Sequence, residues 1–117
     1  MKKLFYLVVC FVWIACHTAK KTIVINPGNK VIENGLALIA KQDCTTCHSV
    51  ETRLVGPSFN QISQKYTLNQ KTINTLAKKI IRGGTGVWGK IPMLPHPDLN
   101  PDSAKIIVLA ILALHKN

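Results

Sequence analysis

Apolar residues recur at helical spacing in four stretches of this chain, and the polar residues between them carry start and stop signals. Ile32, Gly35, Leu36, Ile39 and Ala40 share one face, with Glu33, Asn34 and Lys41 off it, so positions 31 to about 43 are predicted as an amphipathic helix. Pro57 then breaks the chain. Ser58 followed by Gln61 has capping-box spacing and opens a short helix through Tyr66, with Phe59 and Ile62 facing inward. A third helix starts near Asn69 and ends at Arg82, because Ile73, Leu76, Ala77 and Ile80 recur at the 3.6-residue period. Lys78, Lys79 and Arg82 lie at its negative end and Gly83 stops it. From Gly83 to Pro97, four glycines and three prolines predict loop. The last helix is capped by Asn100 with Pro101 in first position and runs through Ala104, Ile107, Val108, Ile111 and Leu112. Ile106, Leu109, Ala110 and Ala113 cover its other side, so it is apolar almost all round. The nine-residue run from Ile106 to Leu114 is too short to span a bilayer, which favours a core helix over a membrane-surface contact. No strand is predicted in the domain, and the expected fold is all-α, about four helices joined by long loops.

The N-terminal end reads differently. Met1-Lys2-Lys3 precedes an apolar stretch from Leu4 to Ala15, the length of a signal peptide and short for a membrane span, so the chain is expected to be exported. The stretch ends Trp13-Ile14-Ala15-Cys16 and is followed by a polar, basic segment. This looks like a bacterial lipoprotein signal, in which Cys16 is lipidated and becomes the mature N-terminus. Trp13 departs from the aliphatic residue usual there, and an uncleaved anchor or an ordinary secretory signal is the competing reading. Cys10 follows Val9, too large for such a processing site, and reads as apolar filler. Positions 17 to 30, with Lys20-Lys21, His17 and Pro27-Gly28-Asn29, read as a tether. Residues 22–25 alternate weakly, but a lone strand has nothing to pair with. The expected organisation is a signal peptide over 1–15, a lipid-tethered linker over 16–30 and one domain over 31–117.

At 117 residues there is room for one domain, and one under about 100 residues is marginal on apolar burial alone. A large apolar cofactor at its centre would relieve that shortage. The formal charge is +10, from 15 Lys and Arg against five acids. Such an excess fits an anionic lipid surface or an acidic protein partner. Nucleic acid is not expected as a partner, because the cations are scattered, the aromatics few and no recognition motif occurs.

Of the four cysteines, two lie in the leader and two form the tight pair in Cys44-Thr45-Thr46-Cys47-His48, the C-x-x-C-H pattern of covalent haem attachment. One helical turn brings two thiols within reach of the two vinyl groups of one porphyrin, and the adjacent His48 points its imidazole at the iron from the same side. Other readings fit less. A zinc half-site would need two further ligands, and no second C-x-x-C or paired His follows. A thioredoxin-like dithiol should follow a strand in a βαβ setting, whereas this pair ends a helix. A structural disulfide would leave His48 unexplained. For the other face of the iron the candidates are Met93, in Ile91-Pro92-Met93 on a proline-rich loop, and His96, between Pro95 and Pro97. His115 reads as a surface residue near a helix C-terminus.

With these residues in view, the chain from about Ile32 to Leu114 resembles the small bacterial class I cytochromes c. The likeness rests on Cys44-Thr45-Thr46-Cys47-His48, Val55-Gly56-Pro57-Ser58-Phe59 and Gly86-Val87-Trp88-Gly89-Lys90-Ile91-Pro92-Met93, in family order. The resemblance implies a class I cytochrome c fold in which the first and last helices cross, Gly35 allowing their close approach. It implies one covalent haem c with its iron held by His48 and Met93. It further implies that the Pro57 carbonyl accepts from the second ring nitrogen of His48, that Trp88 donates its indole N–H to a haem propionate with Lys79 offering a cation, and that Phe59 is pocket wall. The last helix carries Ile and Leu where the family often has an aromatic.

The function so implied is one-electron transfer between respiratory membrane partners, by a carrier and not an enzyme, on the periplasmic or extracytoplasmic side of the membrane. A haem-bearing subunit of an oxidase or dehydrogenase complex, or a haem-based gas sensor, is the alternative. A non-haem interaction protein on the membrane surface is a third reading.

Overall fold

The computed structural model describes residues 26–115; the expected signal peptide, Cys16, most of the tether and the stretch 22–25 lie outside the described residues. Five helices and one hairpin follow in order: α1 (Asn29–Lys41), α2 (Cys44–Cys47), α3 (Phe59–Lys65), α4 (Gln70–Arg82), β1 (Gly84–Gly86), β2 (Gly89–Met93) and α5 (Pro101–Leu112). The helix beyond the expected four is the single turn of the cysteine pair.

Three helix starts follow the capping signals. Ser58 and Gln61 exchange both bonds of a capping box, at 2.9 and 3.1 Å. Asn69 accepts from the Thr72 N–H at 2.9 Å, and Asn100 accepts from the N–H of Asp102 at 2.8 Å, with Pro101 in the first turn. Each side chain satisfies backbone donors that the helix itself leaves free.

α5 is the centre of the domain. Ala104, Ile107, Val108, Ala110, Ile111 and Leu112 are buried, and the helix packs on α1, α3 and α4. That encirclement accounts for its apolar residues on all sides, and a core helix is what the structure contains. Across it runs α1, begun at Asn29, two residues before the predicted start. At the crossing a Cβ on Gly35 would overlap that of Ala110 and stand 2.7 Å from the Ile106 carbonyl oxygen. The close approach narrows the buried stripe of α1 to Gly35 and Ile39, flanked by Ile32 and Leu38. Leu36, about 100° around the helix from Gly35, is 45% exposed, and Ala40 is exposed too. These two do not share the inward face expected of them.

The segment after α4 also departs from the expectation of plain loop. β1 and β2 pair antiparallel, Gly84 opposite Met93 and Gly86 opposite Gly89, with a register irregularity between. Every residue of the two strands is exposed except Met93, which is half-buried, as is Trp88 in the turn between them. With no buried face there is no alternation of apolar and polar residues to announce strands, and the glycines disfavour them.

Candidate cofactor site

The elements enclose a cavity of about 680 Å³, within the range of small-molecule and cofactor sites. Ile39, Phe59, Ile80, Ile107, Val108 and Ile111 supply much of its wall. Cys44, Cys47, His48 and Met93 all face into the same space. α2 delivers the first three, its turn closed by the His48 N–H to the Cys44 carbonyl at 3.0 Å. Neither cysteine is paired in a disulfide among the described residues. Burial, with the neighbouring Asp43 carboxylate second, pushes the Cys44 thiol up from its ordinary range.

His48 is fixed from three sides. Its Nδ1 donates to the Pro57 carbonyl at 2.6 Å, which places the ring proton there and leaves the Nε2 lone pair for a ligand bond. Phe59 stacks on the ring, centroids 5.8 Å apart with 17° between planes. Beneath lies Gly56, where a Cβ would come within 2.5 Å of His48 Cε1. The chain folds back to make this nest through the Gly56 N–H to the Cys47 carbonyl and the Phe59 N–H to the Ser49 carbonyl, both 2.9 Å. Gly56 was legible only as part of a motif; a glycine before the proline that seats the imidazole was its one signal.

Met93 arrives from the other direction, at the end of β2, 45 positions along the chain. His96, the rival ligand, has both ring nitrogens turned toward protein oxygens. Its Nε2 is 2.8 Å from Asp43 Oδ1 and its Nδ1 is 3.3 Å from the Ile80 carbonyl oxygen. His115, exposed three residues past the end of α5, borders a separate small hollow with Asn60, Ser63, Gln64 and Leu114. Among the described residues no group of three or more His, Cys, Asp or Glu could hold a metal ion, so Cys44 and Cys47 find no partners for a zinc centre.

At the rim, Trp88 has the Tyr66 ring against it at 6.4 Å and 63°, and the Lys65 ammonium 5.2 Å from its centroid. Arg53 donates to the Trp88 carbonyl at 2.7 Å, tying the loop after His48 to the hairpin. No sequence pattern marks Arg53 for this task. Lys79 borders the cavity and donates to the Thr85 carbonyl at 3.0 Å.

Two thiols on one turn, an imidazole with a free nitrogen, a thioether and an apolar wall suit a porphyrin bonded through its vinyl groups, with iron between imidazole and thioether. The family model for cytochrome c matches residues 32–108. The chain is 46% identical over 65 residues to cytochrome c-551 of Azotobacter vinelandii, 56% of this chain and 79% of the relative. It is 42% identical over 77 residues to cytochrome c-552 of Nitrosomonas europaea, 66% of this chain and 75% of the relative. The crystal structure of wild-type Nitrosomonas europaea cytochrome c552 superposes with a TM-score of 0.64 at 40% identity, covering 68% of this chain and 99% of that one. The chain therefore belongs to the cytochrome c family: an electron-transfer protein of class I fold, not an enzyme, built around one covalently attached c-type haem.

Proposed function

We propose that Cys44 and Cys47 form the two thioether bonds, that His48 and Met93 are the axial ligands, and that the protein shuttles single electrons between redox partners outside the cytoplasm. The convergence of His48 and Met93 on one apolar cavity carries this reading. When bound, the haem supplies the one-electron couple; the chain's residues set its potential and keep other chemistry out. The Pro57 carbonyl holds the His48 ring proton at Nδ1 and makes Nε2 a better donor. A thioether from Met93 would favour the reduced state and keep small ligands off the iron, the behaviour of a carrier rather than a gas sensor. His96, engaged at both ring nitrogens, is a poor competitor for that place. Phe59 walls the cavity beside His48, and Trp88 and Lys79, both on the rim, would hold the propionates through the indole N–H and the ammonium.

The mouth of the cavity is basic. Arg53, Lys78, Lys79, Arg82 and Lys90 border it against one acid, Asp43. Val87, Ile91 and Leu94 stand exposed among them, 63 to 66% accessible. An acidic docking surface on the partner fits this arrangement, and association with it slows as salt rises. Export follows from the leader, and Cys16 tethers the mature protein to the membrane by lipid. No helix among the described residues is long and apolar enough to cross one.

The test is the optical spectrum of the ferric holoprotein. It should contain the sulfur-to-iron charge-transfer band of methionine ligation, and Met93→Ala should abolish it while the haem stays covalently attached. A band that survives the substitution refutes the ligand assignment.

A further inference from the structure

His96 is bound to two separate parts of the chain. Its backbone N–H is shared by the carbonyls of Ile80 and Ile81, both at 3.1 Å, which closes the end of α4. Its Nδ1 faces the Ile80 carbonyl again. Its Nε2 reaches Asp43, 53 positions away and immediately before the attachment cysteine Cys44. The imidazole is largely covered, 16% exposed, while the Asp43 side chain is 71% exposed. Asp43 stands at the N-cap of α2, where a carboxylate would ordinarily accept from the helix's own N–H groups, yet it makes no such bond. Among the described residues its side-chain partner is His96. The His96 hydrogen bond and charge hold the Asp43 carboxyl below the usual carboxylate range.

Met93 sits between two anchors. On one side β2 pairs it with Gly84; on the other, Leu94 and Pro95 are exposed, and the next fixed point is His96. Any swing of the Met93 segment away from the cavity must therefore pull on His96 or bend the two residues before it. We infer that His96 is a positioning residue for the distal ligand: by donating Nε2–H to Asp43 it ties the Met93 segment to the turn that carries Cys44 and Cys47. The two grips on the haem, one covalent and one coordinate, are thereby coupled. This rests on Met93 being the distal ligand.

A tether of this kind acts on the open population, the fraction of molecules in which Met93 has left the iron and an outside ligand can enter. The measurement is displacement of Met93 by imidazole in the ferric holoprotein, followed by loss of the sulfur-to-iron band. Asp43→Ala and His96→Ala should each tighten apparent imidazole binding by roughly two- to fivefold, the range of one exposed charge-assisted contact. The double variant should do no more than either single one, because each removes the same bond. Single variants with the wild-type displacement constant, or effects that multiply in the double variant, overturn the inference. So does a lowered urea midpoint with no change in displacement, the mark of a merely structural contact. Absence of the band from the unmutated holoprotein overturns the ligand assignment itself, and this inference with it.

Discussion

Replacing Gly56 by Ala puts one methyl group where the His48 ring already is. The new Cβ would stand 2.5 Å from Cε1, 2.9 Å from Nδ1 and 3.1 Å from Nε2, where ordinary contact begins near 3.4 Å. The ring must retreat by about 1 Å, and a retreat of that size breaks the 2.6 Å bond to the Pro57 carbonyl on the adjacent residue. Overpacking costs about 1–3 kcal/mol and the lost hydrogen bond about 1. Gly56 has no positive φ, so Ala suits the backbone there and returns about 0.4–1 kcal/mol through the unfolded chain. The net loss is about 1–3 kcal/mol, or roughly 5–20 °C in melting temperature for a domain of this size. Thermal unfolding of the holoprotein measures it. A second readout separates ring displacement from general damage. An imidazole without its Nδ1–H bond is a weaker donor, which disfavours ferric iron, so the midpoint potential should rise by on the order of tens of mV. A Gly56→Ala protein that melts at or above the wild-type temperature with an unmoved potential would refute the reasoning, since backbone entropy alone predicts slight stabilisation.

Two further predictions concern the core and the rim. Ile107, 1% exposed on α5, should lose about 2–5 kcal/mol on replacement by Ala, whereas Leu36→Ala, outside the buried stripe of α1, should cost under about 1, both read from urea unfolding of the holoprotein. Asp43 should titrate below the ordinary carboxylate range by carbon NMR and move back up in His96→Ala. Because its folded pKa is depressed, its contribution to stability is present above the pKa of the unfolded carboxyl and disappears as pH falls through the folded one.

What could be read from the residues alone was whatever has a local cause. The caps at Ser58, Asn69 and Asn100 declare themselves within four residues, and each helix begins where its cap requires. The cysteine pair with His48 is equally local, and all three line the cavity. The failures have non-local causes. In the hairpin from Gly84 to Met93 only Trp88 and Met93 are partly covered, so no alternation in its pattern distinguishes it from loop. Leu36 was assigned inward because helical period alone gives a face some 100° wide; the crossing at Gly35 decides which part of that face is covered. The Asp43–His96 bond and the Arg53–Trp88 tie join residues 53 and 35 positions apart, and no spacing rule reaches that far.

The crossing of α1 over α5 has a consequence for the order in which the protein is made. The groups that Gly35 rests on, Ala110 and the Ile106 carbonyl, belong to the last helix. While the chain is being synthesised, the first helix emerges with its contact stripe open, and no intermediate length can cover it. Folding must wait for α5 and then bring α1 onto it, a late long-range step of the kind that slows folding. A chain that cannot collapse early stays extended and open until its last core helix is available.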